Sequence, residues 1–294
     1  MNTNSNVYTV IYTTVLVVVV AAVLAFAASA LKQRQQDNAD LAKMKTIMLA
    51  ANMGQTPDGN VDKGADFKKL YEEHIGNNTF VIDAEGNVID GVDAFKDIDL
   101  KSQFSNLKKG LPVQLPVYEC TMDDGRKVNI LAMYGAGLWG AIWGYVAVEA
   151  DNETVAGAIF DHASETPGLG AKIAEPAFYT QFRGKKLSDA GQFSSVKVIK
   201  GGANGSENGV DAISGATMTS KAVSTSLEQW LGAYKAFLTG GQAGKKCCHE
   251  GDAAAECCHE GEHEACCHSG DGEKACCSDG QCNGECEQNN VNAE

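Results

Sequence analysis

The stretch "DAISGATMTS", residues 211–220, packs four hydroxyl side chains, Ser214, Thr217, Thr219 and Ser220, into seven positions directly before a strongly helical pattern. A hydroxyl in that place can cap the helix by accepting a hydrogen bond from a free backbone N–H. Where its neighbours are small, it can instead receive a covalent group, and Gly215 and Ala216 leave that clearance around Thr217. The two roles are compatible, because the free N–H groups and positive dipole end of a helix N-terminus favour a phosphate. By spacing alone Ser214, Thr217, Thr219 or Ser220 could each be a simple N-cap, and Thr217 is the one beside the small pair.

A second candidate is the Gly- and Pro-rich loop "HASETPGLGAK", residues 162–172, with polar Glu165 and Thr166 followed by Gly168, Leu169 and Gly170. Its glycines would let the backbone approach a flat ligand closely. Other chemistry finds little footing in the body. His74, His162 and Cys120 stand apart in sequence, and no Asp-His-Ser set assembles by spacing. "GAGLWG", residues 135–140, lacks the following helix that a dinucleotide-binding turn demands.

The elements that must carry these residues follow from periodicity. Val223, Leu227, Trp230, Leu231, Tyr234 and Leu238 recur at steps of 4, 3, 1, 3 and 4, one face of a helix beginning near Met218. Upstream, "TFVIDAEGNVI", "LPVYECTMDDGRKVNILAMYGAGLWGAIWGYVAVEA" and "VKVIKGG" read as strands. "DDG" at 123–125 is a hairpin turn, and Asp151 and Asn152 mark another. Hydrophobic runs separated by short turns and flanked by helices predict an α+β domain with an antiparallel sheet.

From Val7 to Leu31 there is no charged residue, and "VLVVVVAAVLAFAA" at 15–28 is unbroken apolar sequence. Twenty-five helical residues span roughly 37 Å, enough for a hydrocarbon core of about 30 Å, so a single transmembrane helix is expected. "AASA" at 27–30 has the look of a signal-peptidase site, but "MNTNSN" lacks the positive n-region of a signal peptide. Beyond it, Leu41, Met44, Ile47, Met48 and Met53 lie at helical spacing and predict an amphipathic stalk.

The formal net charge is −14, and from Gly241 onward three lysines face twelve acidic residues, which leaves −5 for the rest. So mildly acidic a body argues against nucleic acid as a partner. Ten of the eleven cysteines also lie in the tail, in Cys-Cys pairs at 247, 257, 266 and 276, three of them followed by His. With almost no apolar residues the tail is expected to be disordered. Its thiolates and imidazoles suit Zn2+ or Cu(I), its cysteines could form disulfides outside the cytoplasm, or it is a dispensable acidic appendix.

"DAISGATMTS", "HASETPGLGAK" and "GLWGAIWGYVAVE" behind one N-terminal membrane helix resemble the C subunit of the bacterial Na+-translocating NADH:quinone reductases, over roughly residues 1–240. The resemblance implies a flavinylation motif at Asp211-x-x-Ser214-Gly215-Ala216-Thr217, with FMN bound through a phosphoester to Thr217 by a separate flavin transferase using FAD and Mg2+. It also implies that the 165–170 loop, with Leu138 and Trp139, lines the isoalloxazine ring, and that the partners are the other membrane and flavin subunits of the complex. The flavin-bearing G subunit of the ion-translocating ferredoxin:NAD+ oxidoreductases shares the attachment motif, and "GLWG" favours the quinone reductase. A non-redox membrane adaptor, with "SGAT" only a cap, is the alternative from another class.

The expected organisation is a tail at 1–6, a transmembrane helix at 7–31, a stalk at 32–55, an FMN-binding domain at 56–240 and the Cys/His-rich tail at 241–294. Lys32 and Arg34 on the C-terminal flank would put the body in the cytoplasm by the positive-inside rule. The resemblance implies the opposite, a flavin domain on the outer face of the bacterial inner membrane, and a few flanking charges are a weak enough signal for it to prevail.

Overall fold

The apolar opening segment passes into polar, straight-chain residues with no Gly or Pro to break it, and the result is one helix, α1, from Asn6 to Ala50. In this computed structural model residues 6–189 and 191–240 are described; the Cys-rich repeats and the first five residues lie outside them. None of the most apolar window of α1 is buried against protein, and it is long and apolar enough to cross a membrane. Only its last turn, Ile47 to Ala50, enters the core. Lys43 secures that entry, its ammonium donating to Phe95 O and lying 4.5 Å above the Phe95 ring. The stalk ends at Ala50, and Met53 is buried beyond it in a turn.

There follow α2 (Phe67–His74), β1 (Thr79–Ile82), α3 (Leu100–Lys109), β2 (Leu115–Thr121), β3 (Lys127–Ala136), β4 (Ala141–Glu149) and β5 (Val155–His162). After a short helix α4 (Pro176–Tyr179) come two small ribbons, β6 (Ser188–Asp189) with β7 (Gln192–Phe193), and β8 (Lys197–Ile199) with β9 (Gly209–Asp211). The chain then forms α5 (Thr217–Ala233) and α6 (Lys235–Leu238).

The five long strands form an antiparallel meander in the order β1-β2-β3-β4-β5, as the alternating runs predict. The expected turns fall between them: Gly125 closes β2–β3 at φ +82°, and Asn152 sits at φ +55° between β4 and β5. The β8–β9 pair departs from the antiparallel expectation, because the 200–208 loop carries the chain back before pairing and leaves the two strands parallel. Helices α2 and α3, eight and ten residues long, are mostly polar and bury one side chain each, Tyr71 and Gln103, so they lack the apolar stripe that marks α5. Their marks are the caps, Asp66 accepting from Lys69 N and Asp99 from Lys101 N and Ser102 N.

Helix α5 is the element that positions the hydroxyl-rich motif. The whole periodic face from Val223 to Leu238 is buried, each large apolar side chain contributing about 1.5–3 kcal/mol. The Trp230 indole N–H donates to Tyr134 O of β3 at 2.6 Å, and the Tyr234 hydroxyl donates to Pro116 O of β2 at 2.8 Å. Close approach to β3 needs Gly135, where a methyl would stand 1.9 Å from Ser226 Oγ.

Candidate functional site

Helix α5 starts at Thr217, with Ala216 at the N-cap and no side-chain cap bond. Ser214 is therefore not the cap: it lies two residues before that position. The incoming chain is held from inside the helix, where Ser220 Oγ accepts from Ile213 N at 3.0 Å. Ser220 N is the first amide to bond back, to Ala216 O at 2.9 Å. The amides of Thr217, Met218 and Thr219 precede it and have no intrahelical acceptor. The Thr217 side chain is exposed beside them.

Two further loops meet this terminus. Gly215 is left-handed at φ +79°, and a methyl on it would lie 2.9 Å from Leu169 Cδ2, so the 165–170 loop backs directly onto the motif. Within that loop Thr166 O accepts from Leu169 N and Ala171 N. The "GLWG" segment is the β3–β4 hairpin tip, closed by Gly137 N donating to Gly140 O at 2.8 Å. Outside α1, six large apolar side chains are exposed among the described residues, and four belong to these three segments: Leu138 (49 %), Trp139 (67 %), Leu169 (42 %) and Met218 (60 %).

Glu165, expected against a ring, is turned inward. It is only 4 % exposed, its Oε1 accepting from Trp139 N at 2.9 Å and its Oε2 from Thr219 Oγ1 at 2.7 Å. Burial pushes its pKa up. Bonds from the Trp139 amide, the Thr219 hydroxyl and the Leu138 and Gly140 amides outweigh that and hold it below the ordinary glutamate value. Asp211 spends its groups on loop geometry, its Oδ1 accepting from Ala203 N at 2.6 Å and its N–H donating to Gln181 Oε1 at 2.9 Å.

The remaining reactive side chains are occupied. Cys120 is buried, and burial, with the Asp123 charge, pushes its thiol up to about 12, so it is a packing residue rather than a nucleophile. His74 Nδ1 lies 2.7 Å from Thr121 O, and His162 Nδ1 accepts from Glu165 N. Among the described residues no three His, Cys, Asp or Glu converge on a metal-sized site; the Cys-Cys-His repeats considered for Zn2+ or Cu(I) lie outside them.

The three converging segments coincide with a family domain. The profile of the FMN-binding domain matches residues 137–232, from the hairpin tip through the 165–170 loop to α5. The C subunit of the Na(+)-translocating NADH-quinone reductase from Vibrio vulnificus is 34 % identical over 223 residues, covering 71 % of this chain and 84 % of that protein. The chain belongs to the C-subunit family of the Na(+)-translocating NADH-quinone reductases. Its fold agrees: the crystal structure of the C subunit from Parabacteroides distasonis is 37 % identical with a TM-score of 0.62, covering 71 % of this chain and 98 % of that one. NqrC from Shewanella oneidensis is 28 % identical with a TM-score of 0.56, covering 69 % and 97 %. A member of this family carries an FMN-binding domain and is part of a multi-subunit oxidoreductase, and the match to its C subunits, rather than the shared flavin domain, favours it over the G subunit of the ferredoxin oxidoreductases.

Proposed function

We propose that this C subunit carries FMN ester-bonded to Thr217 and passes electrons through it between other redox centres of the complex, coupled to Na+ export. The observation that carries the reading is the exposed Thr217 hydroxyl at the first position of a 17-residue helix inside the FMN-binding domain. The residues present suit both ends of the group. Three amides without intrahelical acceptors suit the phosphate, and the exposed Leu138, Trp139, Leu169 and Met218 suit a flat apolar ring.

When bound, FMN supplies reversible electron uptake. The chain's own part is to hold and orient. Thr217 Oγ1 would be the ester oxygen: a flavin transferase using FAD and Mg2+ would join it to the FMN-side phosphorus of FAD, breaking the pyrophosphate bond and releasing AMP, with the hydroxyl proton passing to solvent. Asp211, Ser214, Gly215 and Ala216 shape the approach to it, and Thr166, Gly168 and Gly170 form the loop that presents Leu169. The other membrane and flavin subunits are the electron partners. The body stands on the outer face of the bacterial inner membrane, anchored by α1; a reporter fused after Ala243 that is active only in the cytoplasm would reverse that orientation.

The test is fluorescence in a denaturing gel of the full chain co-expressed with a flavin transferase. A covalent flavin survives SDS, so the wild type shows a fluorescent band and Thr217→Val shows none. A dark wild type, or a bright Thr217→Val, overturns the attachment.

A further inference from the structure

Glu165 neither receives the flavin nor presents its side chain to solvent, yet its carboxylate is the most heavily bonded polar group near Thr217. Oε1 takes the Trp139 amide at 2.9 Å, and Oε2 takes the Thr219 hydroxyl at 2.7 Å. Both loops leave a space fitted to those oxygens. A methyl on Gly137 would lie 2.5 Å from Oε1, and one on Gly170 would lie 2.4 Å from Oε2. The Glu165 amide is itself fixed, donating to His162 Nδ1 at 3.2 Å.

Burying a carboxylate is costly unless each oxygen is satisfied, and an apolar side chain of similar size would often serve stability as well. Here the charge is kept and bonded to two of the three segments that meet at Thr217. We propose that Glu165 is the positioning residue of the flavin site: it locks the 137–140 turn to the first turn of α5 and sets a fixed negative charge behind the exposed Trp139. The proposal rests on the reading of that face as the FMN site. A fixed anion in poorly solvated surroundings opposes the arrival of an electron nearby, so it holds the flavin potential down. The Thr219 hydroxyl offsets part of that charge.

The experiment uses the full chain, co-expressed with a flavin transferase, as wild type, Glu165→Gln and Thr219→Val. Both variants keep the SDS-stable fluorescent band. Spectroelectrochemical titration of Glu165→Gln gives a flavin midpoint raised by about tenfold in the redox equilibrium, about 59 mV for a one-electron couple. Thr219→Val, which bares the carboxylate, lowers the midpoint. A loosened scaffold alone would move both the same way, so equal midpoints or shifts of one sign overturn the charge role.

Positioning is read without flavin, by hydrogen exchange in a Thr217→Val background. There Glu165→Leu, which removes the acceptor oxygens that Gln would partly keep, speeds exchange of the Trp139 amide roughly tenfold, the equivalent of one lost hydrogen bond; unchanged exchange overturns the positioning role. A wild type without a fluorescent band would sink the Thr217 reading, while the exchange result would still decide this one. If Glu165→Gln does not fold, Thr219→Val decides the charge role by whether its midpoint falls.

Discussion

Thr217 and Thr219 are the same residue type, two positions apart in one helical turn, and they live in different worlds. Thr217 is exposed beside unspent amides; Thr219 is 1 % exposed and donates to a buried carboxylate. Two residues on a helix differ by about 200° in direction, so phase alone sends one hydroxyl outward to solvent and the other inward to the Glu165 carboxylate. Residue type sets what each group can do, and the packing of α5 against β3 sets which of them does it.

The sharpest way to break the comparison is Thr217→Val. Covalent flavin disappears completely while the thermal unfolding midpoint of the protein, compared with its flavin-free wild type, stays within about 0.5 kcal/mol in stability terms, as for an exposed side chain. Gly215→Ala comes next, because it strains the link on which both threonines depend. A side chain at φ +79° costs about 1–2 kcal/mol, and the methyl displaces Leu169, so both the yield of fluorescent band and the unfolding midpoint fall.

Thr219→Val is the mirror of the first change. The band remains, and stability falls by about 1–3 kcal/mol because a buried carboxylate oxygen loses its donor. The smallest effect is in pH. Since folding depresses the Glu165 pKa, its contribution is fully present above the unfolded value, about 4.3, and is lost as pH falls through the lower folded value. Denaturant curves of wild type and Glu165→Gln therefore converge on acidification below about pH 4.3; parallel curves would show that the carboxylate is not held ionised.

What can be read from the sequence divides along the same line. The face from Val223 to Leu238 is legible because its period is local, and it locates Thr217 to within one residue of the helix start. Ser214 falls short of the cap it suggests, because a hydroxyl marks a terminus only to within a residue or two. Glu165 can be singled out but not oriented: its partners lie 26 and 54 positions away, where no periodicity reaches. Helices α2 and α3 escape for want of an apolar stripe, although Asp66 and Asp99 stand at their caps. The parallel β8–β9 pair depends on how the 200–208 loop returns, which hydrophobic patterning does not encode.

The unbroken course of α1 gives the whole site an azimuth. Its 45 residues make a rod of about 67 Å, anchored in the body by Ile47 to Ala50 and free of protein contacts along its most apolar window. Each residue removed between Lys32 and Thr46 lowers the body by about 1.5 Å and turns it by about 100° about the rod. Removing seven residues nearly restores its heading, and removing five points it almost the other way. The polar length of that rod is therefore a dial as well as a spacer, and it sets the compass bearing of the face that carries Thr217.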